Sequence, residues 1–246
     1  MRRYLSEMAK TSGSATARSR EHARPRLGVV VVDPFAVVRA GLGRLIGDQP
    51  DLQILAEAGS ADECLGAVRR IRRSRLVVLV GLDLPGERDS LWLIGALRER
   101  HPLATILASG AGADGATITR GLFMGADGYV DKDVDAAEFL QAIRRAARGE
   151  AVLAGAPVDW VGSIAGSKDG RRPIESRLTR REQEVLKIAA QDMTAREIAR
   201  HLGVRERTVT THLGRIYGKL GVNSRLGAVI EAARSGLVTV GSSEDA

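Results

Sequence analysis

The feature that most constrains this chain is a strand–helix alternation that begins at Leu27 and repeats five times. Leu27-Gly-Val-Val-Val-Val32 is a β-branched run with no charged position, the pattern of a strand buried on both faces. Residues 36–47 follow with helical spacing through Val37, Val38, Leu42, Leu45 and Ile46. Residues 52–56 predict the second strand and 61–72 the second helix. A third buried strand at 76–80 is closed by the turn signal Pro85-Gly86. Helices are expected over 91–100, 117–124 and 135–149, and strands over 105–109 and 128–130. Five βα units in series predict a doubly wound, five-stranded parallel sheet with helices on both faces. Such a sheet works at the carboxyl ends of its strands.

The flanks differ in character. Residues 1–26 carry Ser, Thr, Ala and Arg without apolar periodicity and are expected to be a disordered basic tail. Residues 151–177 are rich in Gly, Ser and Pro and are expected to be a linker, and residues 239–246 a second tail. Charge follows the same divisions. Residues 27–150 hold fifteen Lys and Arg against seventeen acids, whereas residues 171–238 hold fourteen against seven. A near-neutral middle with basic ends points to a polyanionic partner. The single cysteine, Cys64, excludes an internal disulfide and a cysteine metal cluster, and is expected to be a core residue. No apolar run reaches the ~18 residues of a membrane span, and the basic N-terminus lacks the apolar stretch of a secretory signal. A cytoplasmic protein with no metal, no cofactor and no membrane partner is the expectation.

After the linker the periodicity is wholly helical. Thr179-Arg-Arg-Glu182 and Thr194-Ala-Arg-Glu197 are capping boxes, in which a Thr hydroxyl and a Glu carboxylate each satisfy an amide at the helix start. Gly203 ends the second helix. A third begins at Glu206 and aligns Val209, Leu213, Ile216, Tyr217 and Leu220 on one face. Its opposite side holds Arg207, Thr211, Gly214, Arg215 and Gly218, with Thr210 at the edge. Asn223 or Ser224 caps a last helix whose Ala228 and Ala232 suit either packing within the domain or contact with another copy. Two short helices joined at a glycine, the second with polar residues outward, make a helix-turn-helix.

Residues 178–238 resemble the LuxR-type helix-turn-helix of the NarL/FixJ response regulators. The match runs through the Thr-x-x-Glu-x-x-Val-Leu opening, Glu197-Ile198-Ala199, Thr208-Val209-x-x-His212 and Lys219-Leu220-Gly221. The resemblance implies that the helix from Glu206 to Leu220 is the recognition helix, with base contacts at Thr210, Thr211 and Gly214. Relatives often have lysine at positions 210 and 214. With Arg205, Arg207, Thr208, Arg215 and Lys219, these residues form the expected surface for double-stranded DNA. The resemblance also implies binding as a homodimer, or as a heterodimer with a related regulator.

Residues 27–150 resemble the receiver domain of the same family, a flavodoxin-like fold. Val38-Arg-Ala-Gly-Leu42, Leu84-Pro85-Gly86 and Gly125-Ala-Asp-Gly-Tyr-Val-Asp-Lys132 carry the likeness. A receiver accepts phosphate on an aspartate four residues before that proline, and here the position is Gly81. The paired acid that helps hold Mg²⁺ is Pro34. Asp33, Ser109 and Lys132 remain. Phosphoryl transfer needs a carboxylate nucleophile and a divalent cation, and glycine and proline supply neither. The chain therefore reads as a DNA-binding transcription regulator with a pseudo-receiver, not an enzyme, in which Lys132 and Asp33 pair across the vacant pocket. The alternatives are a phosphorylatable regulator that uses a displaced acid such as Asp83, and a regulator gated by a small-molecule ligand at the altered pocket.

Overall fold

The computed structural model describes residues 26–71, 75–157, 159–160, 174–191 and 193–238. The expected tails at 1–26 and 239–246, and most of the linker, lie outside them.

The strand–helix alternation folds as a parallel α/β sheet. Strands β1 (Leu27–Val32), β2 (Leu52–Ala58), β3 (Leu76–Gly81), β4 (Thr105–Gly110), β5 (Gly128–Asp131) and β6 (Val152–Ala154) lie in the order β2-β1-β3-β4-β5-β6. The sheet has six strands where five were expected. Val152–Ala154, assigned to the linker from sequence, pairs in parallel with Gly128–Val130 at the sheet edge.

The β-branched runs explain how both faces are covered. Successive side chains on a strand point to opposite faces, so Val30, Val32, Val78, Val80 and Ile106 enter one core while Val29, Val31, Val77, Leu79 and Leu107 enter the other. Helices α2 (Ala61–Val68), α3 (Ser90–Arg100) and α4 (Gly115–Met124) cover the first face, through Cys64, Leu93, Leu97, Ile118 and Leu122. Helices α1 (Ala36–Gly47) and α5 (Ala136–Ala147) cover the second, through Ile46, Phe139 and Ile143. Burial pushes the Cys64 thiol up to about 12, which keeps it protonated and inert as a core residue.

The C-terminal segment packs a separate core. Helices α6 (Arg180–Ala189), α7 (Ala195–His201), α8 (Glu206–Leu220) and α9 (Arg225–Arg234) enclose Val185, Leu186, Ile198, Val209, Leu213, Ile216 and Ala228. Both capping boxes form, at Thr179 with Glu182 and at Thr194 with Glu197. Gly203 takes a φ of 63° in the turn between α7 and α8, a conformation that glycine enters without steric cost.

The two cores meet at α4. Helix α9 gives Ala228, Val229 and Ala232 to its own domain and Leu226, Ile230 and Ala233 to the core on the sheet side. The polar seam is equally close: Asn223 N–H donates to the Phe123 carbonyl over 3.0 Å. Gly227 permits this approach, since a Cβ there would lie 3.0 Å from the Leu122 carbonyl oxygen. Trp160 packs on the other end of α4. Its indole N–H donates to Thr119 Oγ1 over 2.9 Å, and its ring fills the space over Gly115.

Candidate nucleic-acid interface and receiver pocket

Helix α8 sets the geometry of the candidate interface. Its apolar stripe of Val209, Leu213, Ile216 and Leu220 is buried. The opposite side is open, with Arg207, Thr210, Thr211, Gly214, Arg215 and Gly218 all exposed. Arg205 and Thr208 are exposed at its start, where Arg205 occupies the N-cap with no side-chain cap hydrogen bond. Thr210 Oγ1 donates to the Glu206 carbonyl and Thr211 Oγ1 to the Arg207 carbonyl. The two arginines project charge next to a shallow strip of Thr and Gly, which suits the edge of a duplex groove.

Lys219, expected on the DNA-facing surface, is exposed and also makes an ion pair within the domain. Its ammonium donates to both carboxylate oxygens of Glu182, at 2.6 and 2.9 Å, and so ties α8 to α6. Glu182 is buried at 3% exposure. Burial presses it toward the neutral form, but the Lys219 and Thr179 hydrogen bonds outweigh that and hold its carboxyl below the ordinary value. His212 is half-buried, and its Nδ1 is a buried nitrogen without a hydrogen-bond partner. It packs within the domain.

The second site lies at the carboxyl ends of β1 and β3. These strands are neighbours in the sheet although β2 separates them in sequence, which is the switch point where such sheets open a crevice. Asp33 leaves the end of β1 with only 1% exposure. Its Oδ1 accepts from the Phe35 N–H over 2.9 Å, and its Oδ2 accepts from Lys132 Nζ over 2.6 Å. Gly81 stands at the end of β3, paired with Ser109 of β4. A Cβ at Gly81 would fall 2.8 Å from Asp33 Oδ2 and 3.1 Å from the Val32 carbonyl oxygen. A side chain at position 81 would therefore require the Asp33 carboxylate to shift. Pro34 presents only its carbonyl, which accepts from Arg39 Nη1 over 3.1 Å. The Ser109 hydroxyl is buried and has no hydrogen-bond partner.

Two acids matter here beyond those singled out at the pocket. Asp83 comes back to the site: Lys132 Nζ reaches its Oδ2 at 3.3 Å, and its side chain stays half exposed. Asp131 is buried beside Lys132. It accepts from the Tyr129 hydroxyl at 2.7 Å, the Gly112 N–H at 3.0 Å and the Asp133 N–H at 2.9 Å. Burial and the Asp131 carboxylate together raise the Tyr129 hydroxyl above its ordinary value, so it stays a proton donor. Asp131 lies one residue past the strand expected at 128–130, and the strand extends to include it. Ser90 completes the frame, donating to the Gly81 carbonyl over 2.7 Å and accepting from the Leu84 N–H over 3.0 Å.

Both domains match known families. Residues 29–144 match the family described as response regulator receiver domain, and residues 176–232 match bacterial regulatory proteins, luxR family. The transcriptional regulatory protein YdfI of Bacillus subtilis is 32% identical over 212 residues, covering 86% of this chain and 98% of that protein. The nitrate/nitrite response regulator protein NarL of Escherichia coli is 29% identical over 204 residues, covering 82% of this chain and 93% of that protein. A solved two-component response regulator of the LuxR family, from an Aurantimonas species, is 29% identical with a TM-score of 0.51. That match covers 57% of this chain and 96% of the other.

A receiver-type sheet joined to a helix-turn-helix defines a response regulator of the DNA-binding class. The chain belongs to the NarL/FixJ family, whose similar members here are transcription regulators.

Proposed function

We propose that this regulator binds duplex DNA through α8 and does so without switching by aspartyl phosphate. Residues 27–150 form a pseudo-receiver and residues 178–238 the DNA-binding domain, at work in the cytoplasm as a homodimer or with a related regulator. Arg205, Arg207, Thr208, Thr210, Thr211, Gly214, Arg215 and Lys219 meet the duplex, and Lys219 also ties α8 to α6 through Glu182. The observation that carries the reading is the Lys132–Asp33 pair beside Gly81: Asp33 Oδ2 lies 2.8 Å from where a Cβ at position 81 would be. Lys132 places its ammonium between Asp33 and Asp83, supplying internally the positive charge that a receiver takes from a divalent cation.

A second reading keeps Asp83 as an acceptor, because it is half exposed and within reach of Lys132. Treatment with acetyl phosphate and Mg²⁺ separates the two. Intact-mass measurement is expected to show no added phosphate, and gel-shift no change in DNA affinity. A labile phosphate on Asp83 or Asp33 with tighter DNA binding would establish the second reading. In the same gel-shift, Arg207→Ala and Arg215→Ala are expected to weaken binding by about 1–3 kcal/mol where the arginine reads a base.

A further inference from the structure

The outward face of α8 carries two glycines that the fold does not require. A Cβ at Gly214 or Gly218 would meet nothing within 4 Å. Neither is among the glycines at positive φ, so any residue fits their backbone. Glycine inside a helix is costly beside alanine, because it gives up more backbone freedom on folding. Two such positions on one exposed helix face mark a surface that another body approaches closely.

The threonines next to them are already committed. Each hydroxyl donates its one proton to the helix's own carbonyls, Thr210 to Glu206 at 3.0 Å and Thr211 to Arg207 at 2.8 Å. Neither proton is then free for guanine N7 and O6, adenine N7 or thymine O4. Both side chains are exposed, and each still presents its methyl group. In the major groove the one apolar base-edge group is the thymine 5-methyl.

We infer that α8 reads thymine by methyl–methyl contact through Thr210 and Thr211, with Gly214 and Gly218 letting the helix backbone settle close to the base edges. The inference rests on the reading of α8 as the groove-facing helix. It assigns the chemistry of recognition: apolar contact at thymine positions, with Arg207 and Arg215 flanking.

The test uses the full chain and a duplex selected from a random pool. The selected duplex is then remade with deoxyuridine for thymidine, which deletes only the 5-methyl. Each contacted thymine so replaced is expected to weaken binding roughly fourfold, from ~0.8 kcal/mol per buried methyl at 1.4 kcal/mol per tenfold. Thr211→Val keeps the methyl and is expected to bind as the parent does. Thr211→Ser keeps the hydroxyl, and is expected to lose that factor on thymine DNA and to be indifferent to uracil at the position that Thr211 contacts, while staying sensitive to it at the position that Thr210 contacts. Gly214→Ala is expected to bind DNA more weakly while melting roughly 2–4 °C higher, a pairing that a structural glycine would not give. Equal affinity for the uracil duplex, or a valine variant weaker than the serine one, overturns the inference and leaves DNA binding intact. Failure of the pool to yield any bound duplex overturns the groove reading and this inference with it.

Discussion

The Ser224 hydroxyl donates to the Leu122 carbonyl over 2.7 Å and accepts from the Gly227 N–H over 3.0 Å. One oxygen therefore starts α9 of the DNA-binding domain and gives a second donor to the Leu122 carbonyl at the end of α4, which also accepts from the Gly125 N–H over 3.2 Å. Leu226, Ile230 and Ala233 close apolar surface around it. The recognition side of α8 stays open in this arrangement, and α9 is the helix that the receiver covers.

Ser224→Ala removes both hydrogen bonds and is expected to cost about 1–2 kcal/mol, read as a lower thermal midpoint and faster hydrogen exchange at the Gly227 amide. Gly227→Ala places a methyl 3.0 Å from the Leu122 carbonyl oxygen and is expected to wedge α9 off α4. Small-angle scattering checks it through a larger radius of gyration. Native dimensions and an unchanged midpoint in both variants would show that the seam does not hold the domains.

Lys132→Met leaves the buried Asp33 carboxylate without its cation and is expected to destabilise the receiver by about 3–5 kcal/mol in denaturant titration. Asp33→Asn in the same chain removes the stranded charge and is expected to recover most of that loss. If the double variant were no more stable than Lys132→Met, the two residues would not be coupled.

Gly81→Asp does not rebuild a receiver by itself. Its Cβ meets Asp33 Oδ2 at 2.8 Å, and its carboxylate adds a like charge to a pocket already holding two. A loss of about 1–3 kcal/mol is expected, with no phosphate gained from acetyl phosphate. A stable, readily labelled Gly81→Asp variant would mean that Asp33 yields its position freely.

The Glu182 carboxyl is held below its ordinary value, so its contribution is complete above that value, about 4.3, and is lost as pH falls beneath it. Glu182→Gln is expected to cost about 1–3 kcal/mol at neutral pH, because Lys219 loses a charged partner and the Thr179 N–H keeps only a neutral acceptor. The difference from the parent is expected to shrink as pH falls below about 4. A constant gap across that range would assign the effect to packing.

Elements set by local pattern were legible in the sequence. The Thr179 and Thr194 capping boxes, the positive-φ Gly203 and the two-faced strands all depend on neighbours a few residues apart. Val152–Ala154 was not legible as a strand: three residues ahead of a Gly-Ala-Pro sequence carry no periodicity, and only pairing with β5 recruits them. Asp83 was legible only as a displaced acid; the turn at 82–83 that brings it to Lys132 is not marked by residue spacing. The outward face of α8 followed from helical spacing. The Lys219–Glu182 ion pair did not, because Glu182 lies on another helix. The α4–α9 seam joins residues about a hundred positions apart, and no local signal marks it.

Trp160 fixes where the tether between the domains begins. It is clamped on α4, and Ile174 is already buried in the core of the DNA-binding domain, so residues 161–173 are the chain that joins two bodies in contact. Two surfaces carried on one chain meet at an effective concentration commonly in the millimolar range. Any other protein that needs Leu226, Ile230 and Ala233 is then in competition with a resident that never diffuses away. A rival at micromolar concentration begins about a thousandfold behind, a handicap of about 4 kcal/mol that its own contacts must overcome.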